Sequence, residues 1–200
     1  FKDLIKEDSL QPYDANFIRL TPDEYEHITA FASERNITLS TLILAAVAIV
    51  LKNYMPQQEL VIGITVSGRN PEVNGVADIA GLLINTLPLR VEKDNQITIL
   101  EFLKKLQDTV QLINKYSYLP LAEVQSLSNT DRHLFNTIFV FEKYPLDKTT
   151  FADFSIEDFI GIENTEYPLT ITALQGKTID IILNYQTEVF NKVITSTILE

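Results

Sequence analysis

The chain has no cysteine, which removes disulfides, thiolate metal sites and a cysteine nucleophile in one step. A chain without cysteine fits a reducing, cytoplasmic setting. Histidine is almost as scarce. His27 and His133 are the only two, and histidines so far apart among scattered carboxylates lack the spacing of metal ligands. The glycines form no phosphate-cradling loop, and the sequence contains no nucleophile elbow. Positive charge is short: 16 Lys and Arg against 27 Asp and Glu leave a formal net charge of -11. Such a balance repels nucleic-acid phosphates and anionic lipid headgroups alike, so neither a nucleic acid nor a membrane is expected as partner. Long apolar runs are missing too. The longest, Leu42 to Leu51, has 10 residues, about half of what a bilayer span needs. The opening FKDLIKEDSL carries no apolar core flanked by a cleavage site, so no signal peptide is expected.

What remains is ample for a core. Hydrophobic residues make up 46% of 200 positions and charged residues 22%, which suits one globular domain or one large lobe. The pattern along the chain alternates strand and helix. Asp14 to Leu20 reads as a short strand. Thr21, Pro22 and Glu24 form a capping box with proline in the first helical position, and open a helix over Pro22–Arg35 that Asn36 stops. Its apolar face is Tyr25, Ile28 and Phe31 or Ala32. A second helix, Leu39–Tyr54, contains the long apolar run and should be buried on most sides. Glu59–Thr65 is apolar at consecutive positions, as a strand covered on both faces is. A turn-rich loop, SGRNPEVNGVAD, leads to a strand around Leu87 to Glu92. Thr98 and Glu101 form another capping box, and Ile99, Leu103, Leu106, Val110 and Ile113 give the helix Ile99–Lys115 one apolar face. Pro120 opens a short helix through Gln125. Asn136–Tyr144 is the best central strand. Leu169 to Leu174 and Ile179 to Tyr185 form a hairpin around Gln175-Gly176-Lys177. Apolar residues at helical spacing end the chain over Val189 to Leu199. Between Glu142 and Glu166 fall seven acidic residues and two lysines, which reads as a solvated surface stretch. The whole is an α/β layered unit, a mixed sheet with packed helices.

Two stretches say more than architecture. One is Ser67-Gly68-Arg69-Asn70-Pro71 followed by Ile79-Ala80-Gly81-Leu82-Leu83-Ile84-Asn85-Thr86-Leu87-Pro88-Leu89-Arg90. The other is Tyr118-Leu119-Pro120-Leu121-Ala122-Glu123-Val124-Gln125, followed by Leu134-Phe135-Asn136 and by Phe139-Val140-Phe141-Glu142-Lys143-Tyr144-Pro145. The Ile79–Arg90 segment resembles the fifth core motif of nonribosomal peptide synthetase condensation domains, I-G-x-F-V-N-T. Ala80 precedes Gly81 here and Leu83 replaces the aromatic, while Asn85-Thr86 and Arg90 match. The Pro120 and Glu123 segment resembles the sixth motif. Asp131–Phe135 stands where the seventh lies, with a poor match.

The resemblance implies a lobe of the chloramphenicol-acetyltransferase-like fold, residues 1–200 forming the C-terminal half of a condensation domain. It implies amide formation between a thioester acyl group and an amine, both held on carrier proteins. The family's H-H-x-x-x-D-G motif is absent, as are its first four motifs, so the half with the catalytic histidine is expected to be missing and the isolated chain inactive. His27, on the polar side of a helix, and His133, in a polar loop, are not expected to replace it. The resemblance makes Ser67, Gly68, Arg69, Asn85 and Thr86 tunnel-lining candidates, and Gly81, Arg90, Pro120 and Glu123 motif residues of structural role; strand alternation either turns Glu142 towards the lobe interface, adding it to the tunnel-lining candidates, or leaves it outward on a half-exposed strand. Asn85 offers amide donors and Ser67 a hydroxyl to an oxyanion. On its residues alone, Asn85 reads as a strand-end or turn residue satisfying local backbone, and Arg69 and Arg90 read as surface ion pairs; Arg69 is alternatively a holder of its loop or, in the setting the resemblance implies, a partner of a carrier-arm phosphate. No metal and no permanently bound cofactor are expected, phosphopantetheine arriving on the carrier domains. The implied partners are the absent half, the carriers and neighbouring synthetase domains. Exposed apolar surface should mark where the absent half docks. A non-catalytic docking module, an epimerisation domain or another acyltransferase lobe of the same superfamily are the alternatives.

Overall fold

A computed structural model describes residues 12–54, 59–69, 74–92, 96–128, 133–143 and 165–200. Within these, the elements run β1 (Tyr13–Arg19), α1 (Pro22–Glu34), α2 (Leu39–Tyr54), β2 (Glu59–Val66), β3 (Asn85–Glu92), α3 (Ile99–Lys115), α4 (Leu121–Ser126), β4 (Thr137–Lys143), β5 (Leu169–Gln175), β6 (Ile179–Gln186) and α5 (Lys192–Leu199). A single turn of 3-10 helix, Val76–Asp78, interrupts the loop before β3.

The strands join in one six-stranded sheet, ordered β1-β6-β5-β4-β2-β3. β4 pairs in parallel with β5 and, over a short stretch, with β2; the other pairings are antiparallel. The central position expected of the Phe139 strand is what forms, and the 169–186 hairpin closes with Gly176 N–H donating to the Thr178 carbonyl. α2 and α3 pack together beside β2 and β3. Leu44, Ala48 and Leu51 of α2, Leu103 and Leu106 of α3, and alternate residues of the strands (Leu60, Ile62, Ile64; Leu87, Leu89, Val91; Leu169, Ile171) share one buried cluster. Each such leucine, isoleucine or valine side chain withdrawn from water contributes about 1.5–3 kcal/mol.

The opposite face carries a smaller cluster. Phe135, Ile138 and Val140 are buried there, with Val61, Leu121, Leu134 and Tyr167 against them. Gly63 makes this possible: a Cβ on it would stand 2.3 Å from the Phe135 ring. That ring stacks on Tyr167 at 5.3 Å between centroids. β2 is thus covered on both faces, as its consecutive apolar residues imply.

Both capping boxes form. Thr21 and Glu24 close on each other, and so do Thr98 and Glu101. Asn36 takes φ 56, the left-handed conformation that ends α1. The differences are local. β3 begins at Asn85, two residues before the expected Leu87, because Asn85 and Thr86 continue the ladder opposite Val66 and Thr65. Pro120 caps α4 instead of entering it. α5 begins at Lys192, since the Asn191 side chain accepts from Ile194 N–H and fixes the start there. The run Leu42–Leu51 is enclosed on most sides, with Ala46 and Ile49 facing outward. Among the described residues no single helix is long and apolar enough to cross a membrane; α1 and α2 meet at a bend of 107°. Most of the acidic stretch 142–166 lies outside the described residues, as do Asn70, Pro71, Asp131, Tyr144 and Pro145.

Candidate functional site at the end of β2 and β3

The end of the β2–β3 ladder gathers most of the candidate residues. Val66 is paired with Asn85, so Ser67, the next residue, stands at the same edge of the sheet. Two separated motifs therefore meet through one strand pairing.

Ser67, Arg69 and Asn85 each engage backbone there. Gly68 sits at φ +67, where a Cβ would stand 1.8 Å from the Leu83 carbonyl oxygen. Only glycine lets the two loop segments approach this closely. Ser67 is exposed, and its Oγ accepts from the Arg69 N–H at 3.3 Å. The Arg69 guanidinium reaches back over the loop. One terminal nitrogen donates to Val76 O at 2.7 Å and Ile79 O at 3.1 Å; the other donates to Ile79 O at 3.1 Å and Gly81 O at 3.3 Å. Asn85 lies on the helix-bearing face, in step with Leu87 and Leu89. Its Nδ2 donates to Leu119 O at 2.7 Å and Ser117 O at 3.0 Å, and its Oδ1 accepts from Thr86 N–H at 2.9 Å. Both amide hydrogens have carbonyl partners, so Asn85 braces the turn between α3 and α4. Donation to an oxyanion would require one of those bonds to open.

The remaining candidates are distributed differently. Thr86 points to the other face, beside Thr65. Glu142 lies on that same face, in step with Ile138 and Val140 of β4, and is half-buried. Thr86 and Glu142 therefore share a face that Asn85 does not. Arg90 forms an exposed ion pair with Glu59 across β2 and β3, a contact of small energetic weight. Gly81 supplies its carbonyl to Arg69. Glu123 is exposed in α4. His27, in α1, and His133, just before β4, are exposed and lie outside the β2–β3 pairing. No group of three or more potential metal ligands occurs among the described residues.

Around this braced end stand large apolar side chains. Leu82 is 84% exposed, Tyr118 70% and Ile84 60%. Leu83 turns inward and is half-buried. Tyr118 lies between the two carbonyls that Asn85 holds, so the braces carry the apolar groups. Tyr116 and Tyr118 sit 6.3 Å apart, tilted.

A protein-family model described as condensation domain matches residues 5–200. The chain belongs to the condensation domain family. A linear gramicidin synthase from Brevibacillus parabrevis is 37% identical to it over 169 residues, covering 82% of this chain and 2% of that protein. Bacitracin synthase 3 of Bacillus licheniformis is 29% identical over 187 residues, covering 90% of this chain and 3% of that one. Among solved structures, a four-domain nonribosomal peptide synthetase, holo-AB3403, superposes with TM-score 0.80 at 16% identity over 94% of this chain and 16% of its own. The condensation domain of the monacolin K polyketide synthase MokA superposes with TM-score 0.76 at 19% identity, over 98% of this chain and 48% of that one. The epimerization domain from the third module of a tyrocidine synthetase gives 0.73 at 12% identity, over 98% and 47%. The fold is that of the chloramphenicol-acetyltransferase-like condensation domains. This chain spans about half the length of the single-domain structures, 16% of the four-domain synthetase, and 2% and 3% of the gramicidin and bacitracin synthases.

In this condensation-family chain, the Val66–Asn85 pairing brings together Ser67, Gly68, Arg69 and Asn85, which the two motifs name. Sequence reasoning missed Tyr118 as a member of the same surface and Phe135 with Gly63 as the packing of the second face. A surface tyrosine in a helix–helix turn has no periodic signal, and the glycine was readable only as part of an apolar strand.

Proposed function

We propose that this chain is one lobe of a condensation domain that joins an acyl thioester to an amine, both delivered on carrier proteins, and that it supplies a wall of the reaction channel. In that reaction the amine nitrogen attacks the thioester carbonyl. The C–N bond forms, the C–S bond breaks, and the amine's proton leaves with the thiol. The proton-handling histidine belongs to the other half of the domain, since this sequence holds no H-H-x-x-x-D-G.

The observation that carries the proposal is the Val66–Asn85 pairing. It brings the Ser67–Arg69 and Ile79–Arg90 motifs to one sheet end, where exposed Leu82, Ile84 and Tyr118 wait for a surface to meet. Family membership and the half-domain span of the match support it. The braced polar groups argue that this lobe shapes the channel and that Asn85 acts through the α3–α4 turn. Phosphopantetheine is the carriers' group, with no permanent cofactor here. A net charge of -11 disfavours electrostatic capture of acidic carriers, so contact would be apolar.

A second reading follows from the 84% exposure of Leu82: the lobe is a docking module without chemistry. Epimerisation is the third, because the epimerization-domain structure has a similar fold. The experiment is to extend the chain upstream to a whole domain and supply carrier-bound acyl and aminoacyl substrates. Mass spectrometry should find the amide product. Inversion of the aminoacyl α-carbon without amide would establish epimerisation, and binding of carriers with neither product would establish docking.

A further inference from the structure

We propose that Arg69 is a positioning residue that sets the course of the backbone from Val76 to Leu83, and so the direction in which Leu82 leaves the lobe. Its role in the loop stands on geometry; its consequence for catalysis rests on the function proposed above.

No apolar side chain described in this loop is fully buried: Leu82 is largely exposed, Ile79 is about half exposed, and Val76 and Leu83 are half-buried, so burial alone holds the segment weakly. Among the described residues, its local backbone bonds are Asp78 N–H to Gly75 O at 3.0 Å and Ile79 N–H to Val76 O at 3.4 Å. Against these, one guanidinium spans the Val76, Ile79 and Gly81 carbonyls. A planar fork with fixed donor directions ties three acceptors into one arrangement; an ammonium group, a point charge with rotating donors, does not. Gly68 completes the clamp by letting the Leu83 carbonyl close against it. Both terminal nitrogens of Arg69 are turned to the protein's own carbonyls, which separates it from an arginine held ready for a carrier-arm phosphate.

The test uses Arg69→Lys and Arg69→Gln. In the 200-residue chain, hydrogen exchange should accelerate about tenfold over residues 76–83 in both variants, the scale of losing charge-assisted hydrogen bonds, with β5 and β6 unchanged. Unchanged exchange over 76–83 in both would overturn the proposal. So would loss of β5 and β6 protection in both, which would make Arg69 a residue of the fold at large; if Arg69→Gln alone loses it, Arg69→Lys decides. In the whole domain, both variants should lower kcat alike, with carrier-bound and with phosphate-free small thioester substrates, and leave KM for the carrier-bound substrate unchanged. Restoration by Lys, with a defect confined to KM for phosphate-bearing substrates, would identify a phosphate contact and overturn positioning. If the unaltered whole domain makes no amide, the functional reading fails while the exchange measurement still decides the role of Arg69.

Discussion

A methyl group on Gly68 would have to share space with the Leu83 carbonyl oxygen, and it would do so at positive φ. The left-handed backbone alone costs alanine about 1–2 kcal/mol, and the clash adds to it because the opposing atom is backbone. Gly68→Ala should therefore lower the midpoint of chemical unfolding and raise exchange over residues 79–84; an unchanged midpoint would contradict the close approach. Asn85→Ala leaves the Ser117 and Leu119 carbonyls without their donor, and should cost about 2 kcal/mol. Asn85→Asp keeps the shape but removes the donors, so it should cost at least as much; denaturant titration of both variants checks this. Sequence made the grouping of Ser67, Arg69 and Asn85 legible through two motifs. The direction of Asn85 was not legible, because it depends on register with Val66, and its partners are backbone carbonyls more than thirty residues away. A carbonyl leaves no mark in a sequence.

The helix starts were legible because capping chemistry is local. Thr21 and Glu24 satisfy each other's backbone N–H groups within one turn, and Thr98 and Glu101 do the same. Thr98→Ala should cost about 1 kcal/mol, read as a lower Tm. Glu24 is held below the usual carboxylate range, first by its hydrogen bond from the Thr21 backbone and then by that from the Thr21 hydroxyl. A depressed folded pKa means that this contribution is present above the unfolded pKa and lost as pH falls through the folded one. Exchange of the first-turn amides of α1 should therefore show extra, intrinsic-rate-corrected opening on acidification, and Glu24→Gln should flatten that dependence. The start of α5 was not legible from spacing. Val189 and Phe190 fit helical periodicity yet lie before the Asn191 cap; apolar spacing counts residues on a face and is blind to where the backbone turns in.

At the scale of the molecule, the alternation of strands and helices carried the α/β class and the central place of β4. Strand order did not follow, because β1 pairs with β6 from the other end of the chain, and no local pattern encodes so distant a neighbour. The surface of the chain carries the proposed function: polar motif residues brace two turns, and the turns present Leu82, Ile84 and Tyr118. Replacing Leu82 by Asp should leave the unfolding midpoint of this chain nearly unchanged, since the side chain is 84% exposed, while weakening association with the other half of the domain. The most direct measurement is complementation in trans. This chain and a separately produced upstream half bearing the histidine motif are mixed with carrier-bound substrates, and amide product is followed by mass spectrometry. Product is expected only when both polypeptides are present, and less of it with Leu82→Asp. Amide formed by this chain alone, or none formed by two halves that demonstrably bind, would contradict the account.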